Sequence, residues 1–252
     1  MENPKFSILI PARNEERFIG ACLDSIDRAA RFANTKPEII VVLNRCTDGT
    51  EQRIVNHALI LREDSPNLAR VRNFGAASAR GDIIVTIDAD SRMSENMLAE
   101  IEKALESGRF IGGGVKIIPE RMSLGLLISG LILLFPFYIA GLSAGLFWCY
   151  RKDFLAIGGF DENRLSGEDL DFARRLKVYG RKRGKKFGNI RRAHITTSVR
   201  KFDKYGDWLV LKLLFTDPIG FISAFRGKNA DFAKRFWYGN LEDYKCKTED
   251  KE

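Results

Sequence analysis

The stretch IVTIDADSRM, Ile84–Met93, decides how this chain is read. Ile84, Val85 and Ile87 belong in a core, yet two aspartates one residue apart follow at once. A buried strand ending in paired carboxylates needs a reason, because like charges side by side each disfavour the other's ionised form. Residues i and i+2 of an extended chain point the same way, so Asp88 and Asp90 face one side if the strand persists. Two such groups want a cation. Hard oxygen donors suit Mg2+ or Mn2+, which takes one or two carboxylates and completes its shell with water and phosphate oxygens. The alternative is a solvated turn in which Ser91 and Ser94 cap the next helix.

Around that stretch, short apolar runs alternate with longer amphipathic ones, the rhythm of a mostly parallel, twisted α/β sheet with flanking helices. Phe6–Ile10 reads as a buried strand, Pro11–Asn14 as a turn, and the next helix shows Phe18, Ile19, Cys22 and Ile26 on one face. Glu38–Leu43, Ala58–Leu61 and Asp82–Ile87 read as further strands. Ligands of open parallel sheets sit outside the carboxyl ends of the strands. That rule makes Pro11–Glu15, Asn44–Thr50 and Asp88–Asp90 neighbours around one cleft.

The chain has 252 residues, 45% of them hydrophobic, enough for a folded globular enzyme. Lys and Arg exceed Asp and Glu by 41 to 33, a net charge of +8 that favours phosphate-bearing partners or an anionic membrane surface. Nucleic acid is the competing partner for such a charge, but no RNA-binding or zinc-finger signature accompanies it and none is expected here. Cys22, Cys46, Cys149 and Cys246 are scattered, which argues against a disulfide framework or a zinc site. The first apolar run, FSILI, is too brief for a signal-peptide core. A cytoplasmic location is the expectation, with the cytoplasmic face of a membrane as its second form.

A second informative stretch is GGFDENRLSGEDLDFARRL, Gly158–Leu176. Ser166 and Asp169 stand in S-x-x-D spacing ahead of a helical pattern, so a capping box is one reading of Asp169. The other is a carboxylate at a cleft edge that accepts the proton of an attacking hydroxyl.

PARNE, NRCTDGT, ARGDIIVTIDAD and GGFDE followed by ED together resemble the family 2 glycosyltransferases of the GT-A (Rossmann-like) fold, over about the first 180 residues. The resemblance implies an inverting transferase that takes a nucleotide-diphospho-sugar donor, UDP- or GDP-linked, and Mg2+ or Mn2+. It puts Pro11, Arg13 and Glu15 in the nucleotide-binding turn and Asp48 in the next loop. Asp88-Ala89-Asp90 becomes the D-x-D, with Asp90 nearer the metal and Asp88 nearer the ribose. Asp169 becomes the catalytic base, preceded by Glu168 in the ED pair. Arg72 offers a fork for the diphosphate. His194 is a candidate third metal ligand, with Arg200 and Lys201 as phosphate-binding cations.

The chain departs from the family where many relatives carry an acidic pair after the second strand: here stand Leu43 and Asn44, leaving Asn44 as the substitute contact to the base. That departure motivates an alternative, a catalytically inactive sugar-nucleotide-binding protein of the same fold. The Q-x-x-R-W element of processive synthases is absent, which favours single additions to an acceptor hydroxyl, saccharide or lipid-linked.

Between Arg121 and Arg151 no residue is charged. A membrane span there would put Asp90 and Asp169 on opposite sides of a bilayer, so the expectation is a helix over 124–135, broken near Pro136, then a strand over 143–150. Packing in the core or between copies, and contact with a membrane or lipid acceptor, both remain open for that helix. RKRGKKFGNIRR, Arg181–Arg192, reads as a solvated basic helix exit and loop, with attraction to anionic lipid headgroups or a phosphate-bearing acceptor as the other reading. Domain limits are set at 1–200 for the catalytic part and 201–252 for helices, broken at Pro218, that pack on it or on a membrane. DFAKRFWY, residues 231–238, is the last of those helices.

Overall fold

A computed structural model describes residues 3–54, 57–164 and 166–225. The elements run β1 (Phe6–Ala12), α1 (Ile19–Phe32), β2 (Glu38–Leu43), β3 (Leu59–Arg62), α2 (Leu68–Ala77), β4 (Ile83–Thr86), β5 (Ser91–Met93), α3 (Met97–Glu106) and β6 (Phe110–Pro119). Then come α4 (Leu124–Ala140), β7 (Phe147–Tyr150), α5 (Arg151–Ala156), α6 (Glu168–Arg181), β8 (Lys186–Thr197), α7 (Arg200–Tyr205), α8 (Leu209–Thr216) and α9 (Pro218–Phe225).

Eight strands form one sheet in the order β3-β2-β1-β4-β7-β6-β8-β5. The first four are parallel, as the alternating pattern predicts. β7 is antiparallel to both neighbours, β6 and β8 are parallel, and β5 closes the edge antiparallel to β8. The fold is therefore α/β with a mixed sheet.

Period-2 alternation sends successive side chains of each central strand to opposite faces. Ile8 and Ile10 of β1, Ile39 and Val41 of β2, and Ile83 and Val85 of β4 join Ile19, Leu23 and Ile26 of α1 on one side. Leu9, Ile40, Val42 and Ile84 turn the other way, onto Val71 of α2 and Phe172 and Leu176 of α6. With both faces covered, the strands read as continuous apolar runs. Burying each of these large side chains stabilises the fold by about 1.5–3 kcal/mol. In β6, a Cβ on Gly113 would lie 2.0 Å from the Gly188 carbonyl oxygen, so only glycine lets β6 and β8 approach there.

Some expected boundaries shift. α4 runs through position 136 to Ala140, and the chain stops helical winding at Gly141, where φ is 59°. There Leu142 N–H reaches Phe137 O at 2.8 Å, an ending that only a left-handed residue allows without strain. The following strand starts at Phe147 instead of 143. Ser91 sits inside β5 and Ser94 bonds across to His194, so neither caps α3. The basic segment 181–192 leaves α6 through a turn and becomes the first half of β8, with most of its cations exposed. α4, α8 and α9 share a small apolar cluster of Ile132, Leu133, Val210, Leu213 and Phe221. The helix expected over 231–238 lies outside the described residues.

Candidate active site

Three loops meet at the carboxyl ends of β1, β2 and β4. Asn14, with φ 56°, turns its side-chain oxygen to accept from Thr47 N–H at 2.8 Å. Thr50 Oγ1 accepts from Glu15 N–H at 2.8 Å, and Asp48 accepts from Glu16 N–H at 3.2 Å and Thr50 N–H at 3.1 Å. Asp48 thus braces one loop against the other. Pro11 is half-buried on β1, Arg13 is exposed and Glu15 is buried. The Asn44 amide donates to the carbonyls of Glu63 and Ser65, tying β2 to the segment after β3. Its N–H groups are thereby committed to the protein backbone.

The centre of the cluster is Arg72 on α2, whose side chain is 2% exposed. Its guanidinium donates to Asp169 at 2.6 Å and to Asp88 at 2.9 Å, and approaches Glu168 at 3.5 Å. One cation therefore ties the end of β4 to the start of α6. The three carboxylates hold Arg72 protonated against its burial. Phe160 forms the floor, 5.0 Å beneath the guanidinium, and stacks on Phe172 at 4.3 Å.

Asn73, beside Arg72, exchanges two 2.9 Å hydrogen bonds with the backbone of Phe160. Asn67, at the start of α2, caps Arg70 N–H and donates to the carbonyls of Glu162 and Arg164. The glycines before Phe160 are required here: Gly159 has φ 62°, and a Cβ would meet Asn73 Oδ1 at 2.4 Å. Asn67, Asn73 and Phe160 were not singled out in the sequence. The one available signal was Asn73 following Arg72 in VRNFG.

The expected capping box at Ser166 does not form. Gly167, with φ 68°, flanks α6 and no side chain caps it, because the Asp169 carboxylate turns to Arg72 instead of to its own backbone. Burial pushes Glu168 up, with Asp169 beside it adding to the effect. Burial also raises Asp169, against the pull of Arg72.

A second cation closes the other side. Arg200, at the start of α7, forms two 2.6 Å hydrogen bonds with Glu15 and lies 3.5 Å from Asp90. Burial and the neighbouring Asp88 push Asp90 up to about 7, with Arg200 opposing them. Lys201 is held down at about 8 by burial and by Arg200.

His194 is not at this turn. Thr197 pairs with Ser91, the neighbour of Asp90, whereas His194 lies three positions earlier on β8 beside Ser94. No group for a metal that includes His194 is assembled among the described residues.

Among the described residues no group of three or more His, Cys, Asp or Glu side chains is assembled for a metal. The donor set of Asp88 and Asp90 nonetheless fits a hard divalent cation that brings water and phosphate as its other ligands. The surroundings support that fit: burial first, then the nearby Asp88 and Glu15, disfavour the ionised Asp90, and Arg200 offsets only part of this.

A mixed eight-stranded sheet with this acidic cluster at its carboxyl ends has the GT-A glycosyltransferase architecture. The model of Glycosyl transferase family 2 matches residues 7–143, more than half of the chain, and the chain belongs to that family. It is 31% identical over 122 residues to the undecaprenyl-phosphate 4-deoxy-4-formamido-L-arabinose transferase of Pseudomonas fluorescens, an alignment spanning 44% of this chain but only 35% of that protein. Among solved structures it is similar to S. aureus TarS 1-349 in complex with UDP, with a TM-score of 0.60 and 15% identity over 96% of this chain and 75% of that one. It is also similar to glucosyl-3-phosphoglycerate synthase from Mycobacterium tuberculosis in complex with Mn2+, UDP and phosphoglyceric acid. There the TM-score is 0.56 and the identity 19%, over 84% of this chain and 78% of that one. At such identities the likeness is one of fold.

Proposed function

We propose that the chain is an inverting glycosyltransferase that moves a sugar from a nucleotide-diphospho-sugar to an acceptor hydroxyl, with a divalent metal held by Asp88 and Asp90. The observation that carries this reading is the Arg72 bridge, which brings Asp169 and the Asp88-Ala89-Asp90 turn to one cleft from 97 and 16 residues away. Family membership and the nucleotide complexes of similar folds support the donor class.

Asp169 takes the proton of the attacking hydroxyl. Its raised affinity for protons, which comes from burial, improves it as a base, while Arg72 keeps it ionised and aimed. A divalent cation, when bound, would stabilise charge on the leaving diphosphate. Glu15, Arg200 and the braced loop at Asp48 shape the nucleotide end of the cleft, with Pro11 and Arg13 at its rim. Attack from the face opposite the diphosphate is a single displacement and inverts the anomeric carbon.

The inactive-binder reading draws support from one feature: Asp169 is engaged by Arg72 at 2.6 Å and must release or share that bond to act. One assay separates the two readings. Purified chain would be given UDP- and GDP-sugars with Mn2+ or with chelator, together with a panel of saccharide and lipid-linked hydroxyl acceptors, following nucleoside diphosphate release and thermal shift. Metal-dependent release from one donor, reduced about 10²–10⁴-fold in Asp169→Asn with the thermal shift retained, is the expected result. Binding without release in the wild type would leave the inactive binder, and neither binding nor release would remove both.

A further inference from the structure

α4 presents apolar side chains to solvent along one stripe. Leu124, Leu127, Leu131, Phe135 and Tyr138 recur at three- and four-residue spacing and are all exposed, Leu131 at 64% and Tyr138 at 82%. The opposite side of the helix is satisfied, with Ile132 and Leu133 packed against α8 and α9. Those helices expose large apolar side chains of their own: Phe215 is 79% and Ile219 82% exposed. A stripe of large apolar side chains exposed along one helix marks something it binds.

We propose that this face docks on the surface of an anionic lipid bilayer. Three observations select that occupant. First, α4 is fixed in place as an apolar ledge. Ser123 caps Leu126 and donates to Asp207, Ser129 donates to the Asp207 carbonyl, and Arg121 pairs with Asp203 and Asp207. Arg121 thereby offsets part of the acidic charge of Asp203 and Asp207 at that end.

Second, α4 lies along a membrane better than it crosses one. Its 17 residues span about 25 Å, short of the roughly 30 Å hydrocarbon core. No helix among the described residues is long and apolar enough to cross.

Third, the charge is complementary. α9, PIGFISAF, carries no charge, the exposed Trp208, Lys212 and Phe215 recur at four- and three-residue spacing along α8, and the chain as a whole carries a net charge of +8. Cations attract anionic headgroups and aromatic rings settle at the headgroup boundary.

The position of the ledge relates it to the cleft. Pro119, five residues before α4, pairs with Thr197, and the next residue, Ser198, donates its N–H to the Asp90 carbonyl at 3.1 Å. Docking through α4 therefore holds the acidic turn close to the bilayer surface. This inference concerns where the chain sits and does not depend on its being an active transferase.

The test is flotation of the full chain with vesicles of mixed phosphatidylcholine and phosphatidylglycerol, and of phosphatidylcholine alone. The comparison variants are Leu131→Glu with Tyr138→Ser, whose wild-type side chains are exposed and whose folding is checked by circular dichroism. Co-flotation is expected with the anionic vesicles, weaker with the neutral ones, and reduced roughly tenfold or more in the variant, as losing a leucine's burial implies. Unchanged flotation in the variant would overturn the assignment of this face. So would absence of flotation, and if the wild type then sediments as a dimer and the variant as a monomer, the face belongs to a second copy.

Discussion

Arg200 grips Glu15 through two hydrogen bonds of 2.6 Å, joining positions 185 residues apart. Glu15 closes the turn after β1 and Arg200 opens α7, so the clasp fixes the C-terminal helices to the nucleotide end of the cleft. Glu15 is buried enough that desolvation raises its proton affinity, and Arg200 is what keeps that buried carboxylate compensated. Arg200→Ala is expected to lower stability by about 1–2 kcal/mol, a figure kept small because the arginine is half-exposed. A double-mutant cycle with Glu15→Gln in urea checks it. Additive single losses would show that the clasp contributes nothing of its own.

Arg72 has no equivalent substitute. Arg72→Lys keeps the charge but cannot reach Asp88 and Asp169 together with a planar fork. Donor turnover is expected to fall by about 10–100-fold, while Arg72→Met falls further and loses stability, because three carboxylates then face one another uncompensated. Initial rates and thermal melts at neutral pH would settle the order. Equal activity of the lysine variant and the wild type would contradict a two-pronged role.

The Asp90 carboxyl makes stability depend on pH in a known direction. Its folded-state value, about 7, lies above the ordinary 3.8, so the folded state holds the proton more tightly than the unfolded chain. That contribution is complete below about pH 4 and is lost as pH rises through 7, on the order of 2–4 kcal/mol in chelator. Asp90→Asn should flatten the loss. Mn2+ should stabilise the wild type more at pH 8 than at pH 5, since only the ionised carboxylate binds it. Denaturant melts across that range, with and without Mn2+, read both effects, and a pH-independent Asp90 contribution would refute the first.

Phe160 supports the site from below. Phe160→Ala removes a fully buried ring stacked on Phe172 and should cost about 3–5 kcal/mol. Phe160→Leu fills most of that space, so it should recover much of the stability while leaving Arg72 without its aromatic floor. A variant that recovers stability but turns over donor more slowly would separate the two contributions of the ring, and one with wild-type turnover would show that the ring acts through packing alone.

Much of the fold was legible in the chain. The runs FSILI, EIIVVL and DIIVTI alternate with amphipathic helices, a rhythm that reads as parallel strands and holds for β1, β2 and β4. The acidic turn was legible for the same reason: two carboxylates ending a core strand stand out against burial. The ionic partners were not. Arg72 and Arg200 could be read only as cations for phosphate, and only the sheet order brings the first between Asp88 and Asp169 and the second onto Glu15. His194 shows the converse: scarcity marks it in the composition, while its place beside Ser94 is set by the register of β8, which composition does not encode.

The sequence by itself determined the α/β class, the strands and the carboxylates at their ends, because those follow from burial and spacing within a few residues. Tertiary structure alone decided which cation meets which carboxylate, that Asn44 and Asp48 brace loops, and that α4 continues through position 136 with its apolar stripe outward. Each of these depends on contacts between segments tens to nearly two hundred residues apart, and side-chain partners across such distances are set by how the sheet closes.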